Sequence, residues 1–334
     1  MSEPKIDVLT IGNAIVDVLT NGDESFLQEH GITKGAMNLV DEERSAFLFN
    51  KIGQTIETSG GSAANTAAGI NSLGGSAAFI GKVADDHLGK TFTHDIRAVG
   101  THFDTPPLIG GSRTANCMIF ITPDGERTMN TYLGACVELA PEDIDEEVVI
   151  QSQVTYFEGY LWDPPKAKEA ILKASDIAHA NDRQVAMSLS DSFCVDRYRD
   201  EFLDLIRSKK VDIVFANEAE LKSLYQTEDF DTGLTALRED CTLSAVTRSE
   251  KGSVVVSREK TQSIDAAPIA KLVDSTGAGD LYAAGFLYGL THGETLESCA
   301  QLGGIAAAEV IQAIGPRPMK KLSNVIAQAG YTVK

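Results

Sequence analysis

The chain has 334 residues, more than one compact core usually holds, so a large domain with a smaller attachment is expected. Hydrophobic residues at 43% and charged residues at 23% describe an ordinary globular protein. Asp and Glu outnumber Lys and Arg by 48 to 29, and the resulting net charge of -19 argues against nucleic acid and anionic membrane as partners.

The first apolar run, Ile6–Ile11, reads as a strand. Asp7 and Asp17 interrupt the apolar N-terminus, which is therefore expected to be neither a signal peptide nor a membrane span. In Gly12-Asn13-Ala14-Ile15-Val16-Asp17, an extended backbone puts positions 13, 15 and 17 on one face. Asn13 and Asp17 would then point together, and a carboxylate accepts hydrogen bonds from two vicinal hydroxyls. The plainer alternative is an edge-strand Asx turn. Next comes Gly60-Gly61-Ser62-Ala63-Ala64-Asn65-Thr66-Ala67. Paired glycines permit close approach of backbone to a ligand. Ser62 is a candidate N-cap, placing Asn65 in the first helical turn at the mouth of a cleft. A flexible turn before an Ala-rich core helix explains the glycines but not the polar Asn65. After the strand Ala77–Ile80, the run Ala84 to Thr91 is one residue from a Walker A pattern. Its first Gly is missing and Asp85 and Asp86 would repel phosphate, so Lys90 reads as solvated.

Residues 13–61 and 113–133 break the strand–helix alternation with short strand-like pieces, among them Cys117–Ile121, and turn chemistry such as Pro123-Asp124-Gly125. They are expected to pair into a small second sheet. Positions 129, 131 and 133 alternate on one face of it, so Met129 and Leu133 either wall an apolar pocket or form ordinary core. The strands Val154–Phe157, Val185–Leu189, Val211–Phe215, Ser244–Val246 and Ser253–Val256 follow, with helical patterns such as Lys166–Ala180 and Glu218–Tyr225 between them. Such alternation predicts an α/β fold with a mostly parallel sheet and helices on both faces. Asn217 and Glu220 have the spacing of a capping box.

A strand-like Lys271–Val273 leads into Asp274-Ser275-Thr276-Gly277-Ala278-Gly279-Asp280 and an apolar helix through Leu290. Small residues at Gly277, Ala278 and Gly279 let backbone N–H groups converge, and a helix N-terminus adds positive potential. That is an anion hole without a basic side chain, with Asp280 beside it to take a proton from an attacking hydroxyl. The plainer reading is a turn capped by Asp280. The five Cys form no C-x-x-C, and their odd number suits reduced thiols in a cytoplasm.

Taken together, Gly60–Asn65 and Asp274–Leu290 resemble the two signatures of the ribokinase-like (pfkB) carbohydrate kinase family, and the likeness runs over nearly the whole chain. The resemblance implies a ribokinase-like αβα sandwich with a small β-sheet lid. Residues 1–12, 62–112 and 134–334 would form the large nucleotide-binding domain, and 13–61 with 113–133 the lid. It implies ATP as phosphoryl donor with Mg²⁺, a monovalent cation such as K⁺ as a further option, and a small-molecule hydroxyl as acceptor. Gly277, Ala278 and Gly279 would be the anion hole and Asp280 the base. Within the family the details resemble the adenosine kinases, which implies phosphoryl transfer to the 5′-hydroxyl of adenosine giving AMP and ADP. A ribokinase- or fructokinase-like sugar kinase, or a kinase for inosine or guanosine, is the alternative. In that frame Asn13, Asp17, Gly60, Gly61, Ser62 and Asn65 bind the acceptor, and Phe193, in Ser188-Leu189-Ser190-Asp191-Ser192-Phe193, packs on its base beside Met129 and Leu133. Arg127 resembles the lid Arg that approaches the transferring phosphoryl. Asn217 and Glu220 resemble the N-x-x-E motif, with Glu220 linked to Mg²⁺ through water. Thr247, Ser249 and Gly252 lie in a segment like the family nucleotide loop, where Gly is usual in place of Ser249. A cytoplasmic monomer or homodimer is expected.

Overall fold

Along Ile6–Ile11 the pleat sends Val8 into one buried cluster and Leu9 into another, so this strand is covered on both faces. The computed structural model, which describes residues 4–124 and 126–331, repeats that pattern across eight strands. In chain order the thirteen strands are β1 (Ile6–Ile11), β2 (Ile15–Asn21), β3 (Met37–Leu39), β4 (Ile56–Gly60), β5 (Ala77–Ile80), β6 (Ala115–Ile121), β7 (Arg127–Tyr132), β8 (Ser152–Glu158), β9 (Gln184–Ser188), β10 (Ile213–Asn217), β11 (Leu243–Thr247), β12 (Ser253–Ser257) and β13 (Thr261–Ile264). The large sheet runs β13-β12-β11-β10-β9-β8-β1-β5. It is parallel from β11 to β5, and β12 and β13 close the other edge antiparallel. Helices Ser62–Leu73, Ala278–Thr291 and Leu296–Val310 share the cluster with Val8. Helices Pro165–Ala180, Ser192–Arg207 and Phe230–Asp240 share the one with Leu9.

The strand order reverses at β1, which has β5 on one side and β8 on the other. A parallel sheet opens a crevice at the carboxyl ends of its strands at such a point. The residues there are Gly12, Asn13 and Glu158.

The second sheet runs β3-β7-β6-β2-β4. All five of its strands fall in 15–60 and 115–132. Val16, Val18, Met118 and Phe120 join a buried cluster with Leu27, Leu48 and Phe92. The opposite face is fixed by register. Asp17 pairs with Thr58 and Cys117, and Cys117 with Thr131, which pairs with Leu39. The adjacent row is Ile56, Leu19, Ile119, Met129 and Met37. In the turn between β6 and β7, Gly125 lies outside the described residues. Strand β7 ends at Tyr132, and Leu133 turns into a helical conformation at the start of a short 3₁₀ segment. The alternation expected through 133 therefore stops at Thr131, and Leu133 leaves the Met129 face.

Two helices deliver the signature motifs to one place. Helix Ser62–Leu73 and helix Ala278–Thr291 touch where Gly69 meets Ala284 and Leu281; a Cβ on Gly69 would lie 2.7 Å from both side chains. Only a glycine lets the axes come this close.

Candidate active site

Three carboxylates, Asp280, Asp17 and Glu158, gather near the two signature motifs, and each is set by a different local device. Asp280 lies in the first turn of helix Ala278–Thr291. Its Oδ1 accepts from Ser62 Oγ at 2.6 Å and its Oδ2 from Asn65 Nδ2 at 3.0 Å, across more than 200 residues of sequence. Burial pushes its pKa above the ordinary carboxylate value, and the two hydrogen bonds hold it back. Ser62 was expected to cap its own helix. The cap is Gly61, at φ +95°, and the Ser62 hydroxyl turns to Asp280 instead.

Asp17 lies on β2 against Gly60, where any side chain would collide with the carboxylate: a Cβ there would be 2.5 Å from Oδ2. Burial lifts Asp17 to about 6, against the pull of the Arg317 and Arg127 charges. Asn13 was expected to share its face. The chain becomes a strand only at Ile15, so the two-residue period does not reach position 13. The Asn13 backbone N–H and Nδ2 instead donate to Glu158 Oε1 at 2.9 and 2.7 Å.

Glu158 is the third carboxylate, fully buried at the end of β8. Its other oxygen accepts from Ala63 N at 2.7 Å, so it ties the start of the second sheet to the Gly61–Asn65 turn. Burial raises it to about 7; the Asn13 and Ala63 amides oppose this and the Asp280 charge adds to it. A lone acid ending an apolar strand, as in Tyr156-Phe157-Glu158, was the available signal for it in the sequence.

The turn before helix Ala278–Thr291 has Gly277 at φ +79°, the left-handed conformation that glycine accepts without strain. The amides of Gly279 and Asp280 have no intrahelical acceptor at a helix start, and the space beside Gly279 is open. The Ala278 amide is turned back to Ser275 O at 3.2 Å, so that member of the expected hole is already engaged. Residues 271–273 are exposed and not a strand; the Val273 amide bonds Ile311 O in the neighbouring tail. Asp274 holds the turn by accepting from Thr276 N, Thr276 Oγ1 and Gly315 N at 2.6–2.9 Å. Burial acts to raise its pKa, but these bonds and the Arg127 charge keep it below the usual range.

Arg127 crosses from β7 to this turn, with Nη1 2.5 Å from Asp274 Oδ2 and both side chains nearly buried. Its Nε and Nη2 are buried without a hydrogen-bond partner. Buried guanidinium donors left unpaired are costly, so these two suit the oxygens of an anion.

The remaining expected residues lie on other elements. Asn217 and Glu220 form the capping box, with Glu220 accepting from the Asn217 amide at 2.9 Å and from its side chain. Burial raises Glu220 to about 7. Among the described residues no group of three or more His, Cys, Asp or Glu could enclose a metal. Both Glu220 oxygens already accept from Asn217, so a divalent ion beside them would be reached through water. In the 247–252 loop Ser249 adopts φ +52°, the conformation its usual glycine would take, and Gly252 at φ +79° leaves no room for a side chain against Ile264 O. Phe193 starts helix Ser192–Arg207 and is 67% exposed, so it is a surface ring and not core. Lys90 is exposed and lies 3.3 Å from Asp85, as its solvated reading required. Arg317, set between Pro316 and Pro318, was not anticipated at all.

The profile of the pfkB family carbohydrate kinases matches residues 37–322. The chain belongs to that family. This kinase is a phosphotransferase with an alcohol acceptor, and the fold is ribokinase-like. Its family uses ATP. Among solved structures it is similar to the adenosine kinase from Sinorhizobium meliloti, at 62% identity and a TM-score of 0.90 over 97% of this chain and 99% of that one. It is also similar to a protein from Rhizobium etli called a probable sugar kinase, at 58% identity and a TM-score of 0.91 over 98% and 99%. The adenosine kinase of Saccharomyces cerevisiae is 26% identical over 95% of this chain and 98% of its own. No helix among the described residues is long and apolar enough to cross a membrane.

Proposed function

We propose that this kinase transfers the γ-phosphoryl of ATP to the 5′-hydroxyl of adenosine, giving AMP and ADP. The observation that carries the substrate is the apolar row one step from Asp17 on the second sheet: Ile56, Leu19, Ile119, Met129 and Met37. Ile56 and Met37 at its ends are 68% and 51% exposed. A free sugar is too small and too polar to cover such a row, whereas a purine joined to a ribose held at Asp17 can. The 62% identical relative that bears the name adenosine kinase supports the same reading.

In the proposed reaction Asp17 accepts hydrogen bonds from the ribose hydroxyls and the 5′-hydroxyl meets Asp280. Asp280 takes that proton as the new O–P bond forms and the bond to the ADP oxygen breaks. Charge on the transferring phosphoryl is met by the Gly279 and Asp280 amides, by the helix N-terminus and by the free Arg127 donors. Mg²⁺, when bound, would screen the donor phosphates beside Asn217 and Glu220. Five buried free cysteines and the acidic surface suit action in the cytoplasm.

The test is a panel of adenosine, inosine, guanosine, ribose and fructose with MgATP, run on the wild type and on Phe193→Ala. Adenosine should exceed both free sugars in kcat/KM by orders of magnitude. Stacking of an aromatic ring on a base contributes about 1–3 kcal/mol, so Phe193→Ala should cost adenosine on the order of 10–100-fold and leave sugar activity nearly unchanged. A free sugar as the better substrate would replace this reading with a sugar kinase. Equal losses for sugar and adenosine would take Phe193 out of the base site.

A further inference from the structure

Arg317 is held more firmly than a tail residue need be. The segment Gly315-Pro316-Arg317-Pro318 is held at its start, and the chain is tied again at Leu322, four residues beyond it. Gly315 N donates to Asp274 Oδ2 at 2.9 Å, and Leu322 N to Ser72 Oγ at 2.9 Å. Pro316 lies directly on the anion-hole turn, where a Cβ on Gly277 would be 2.6 Å from its carbonyl oxygen. Prolines on both sides restrict the backbone, and a residue before proline is confined to extended conformations. The backbone of Arg317 is therefore restricted, and the Nε contact with Asn65 places its guanidinium.

That place lies between the acceptor wall and the base. Arg317 Nε donates to Asn65 Oδ1 at 3.4 Å. This leaves Asn65 Nδ2 facing Asp280 Oδ2, so the arginine sets which way the amide points. The Arg317 Nη2 is buried and has no hydrogen-bond partner among the described residues. Burial disfavours the Arg317 charge, while the nearby Asp17 and Asp95 carboxylates support it. A buried donor of this kind is expensive unless something accepts from it.

A vicinal diol supplies what is missing. Each hydroxyl has one proton to give and lone pairs to fill. Asp17 is acceptor-only when ionised, so it takes the protons and leaves the lone pairs open. We propose that Arg317 is the second half of a diol clamp, donating from Nη2 to an acceptor hydroxyl oxygen whose proton goes to Asp17. The inference rests on the reading of Asp17 as the diol acceptor, and it holds for a ribonucleoside or a free ribose alike. No proton transfer is required of Arg317.

The experiment compares wild type, Arg317→Met and Arg317→Lys on adenosine, 2′-deoxyadenosine and 3′-deoxyadenosine with saturating MgATP. Thermal melting and the KM for ATP are measured alongside. A hydrogen bond to a charged donor corresponds to about 10–100-fold in binding. Arg317→Met should raise the KM for adenosine by that factor, with the KM for ATP changed less than about twofold. At least one deoxy substrate, already weak with the wild type, should lose little more. Arg317→Lys keeps the charge without the fork and should fall between. If Arg317→Met does not fold, the lysine variant decides by the same comparison. Equal losses on adenosine and both deoxy substrates would overturn the clamp, as would a loss confined to kcat or to the KM for ATP. If the wild type prefers ribose to adenosine, the nucleoside reading falls. Ribose against 2-deoxyribose then decides the clamp.

Discussion

Asp17 sits at a crossing of two opposed effects, burial that favours its neutral form and two guanidinium charges that favour its anion. The outcome, about 6 against an ordinary 3.8, puts its titration within reach of assay conditions. In the proposed diol site only the anion can accept hydrogen bonds from both hydroxyls at once, so acceptor binding there requires Asp17 to be ionised. The sign follows: as pH falls through about 6, Asp17 takes up a proton and affinity for the acceptor is lost; above that pH affinity is level. Direct titration of adenosine binding without ATP should show its Kd rising about tenfold per pH unit below about 6. Asp17→Asn should bind more weakly and lose this dependence. Glu158, at about 7, titrates nearby, but both its oxygens are occupied by Asn13 and Ala63. A pH-independent wild-type Kd between pH 5 and 7 would show that Asp17 does not receive the hydroxyls.

Glycines at the start of the two signature helices look alike in sequence and differ in what they do. Gly61 has φ +95°, and a Cβ there would be 2.2 Å from Asn13 O, so alanine must distort the junction of β4, the β1–β2 crossing and helix Ser62–Leu73. Strain of this kind costs about 1–3 kcal/mol, which lowers the melting temperature by several degrees in a protein of this size. Gly279 is inside the helix with nothing within 4 Å of an added Cβ. Alanine there should leave stability unchanged or slightly raised, since it is the better helix former by about 1 kcal/mol. Its methyl, however, would stand in the space proposed for the transferring phosphoryl. Gly279→Ala should therefore lower kcat while melting like the wild type, and Gly61→Ala should melt early. Melting curves and turnover for the two variants check this, and the reverse pattern would place the anion hole elsewhere. The element boundaries show why some of this was readable beforehand. The strand at Ala77–Ile80 was legible because an unbroken apolar run bounded by turn residues is a local property, and Ile6–Ile11 because its apolar residues outnumber Asp7 and Thr10. Residues 271–273, a short piece opened by Lys271, read as strand-like, yet the Val273 amide bonds the Ile311 carbonyl at the end of helix Leu296–Val310, and the piece pairs with no strand among the described residues.

At the scale of the whole molecule, the Arg127–Asp274 pair ties the second sheet to the turn before helix Ala278–Thr291. Phosphoryl transfer needs water kept out, or ATP is hydrolysed without product. The second sheet, with residues 13–61 and 113–133, is proposed to act as the lid that does this. Asp280→Asn makes the closed complex accessible, because loss of a positioned base slows turnover by about 10²–10⁴-fold while both ligands stay bound. In that variant, hydrogen exchange at the amides of β2, β4, β6 and β7 should slow when adenosine and MgATP are added together. The strands of the large sheet should change little. Unchanged exchange in both lid stretches at saturating ligand would count against closure.

From the sequence alone came the mostly parallel α/β sheet, the two interrupting stretches, and the turn with Asp280 that is proposed as the anion hole and base. Each depends on residues a few positions apart: apolar period, paired glycines, a helix start. The Asn217–Glu220 capping box was legible for the same reason. What Asp280 touches was not legible, since Ser62 and Asn65 reach it only because Gly69 lets two distant helices close on one another. Glu158 and Arg317 were missed for a related reason. Neither has a chemical motif around it, and each acquires a role only from groups 95 to 252 residues away. The separate direction of Asn13 and Asp17 was likewise a tertiary matter: a buried carboxylate at the end of β8 takes the Asn13 amide before the strand begins. Local spacing determines which groups are available, but only packing determines which of them meet, because a buried donor or acceptor takes the partner that the fold brings within hydrogen-bond distance.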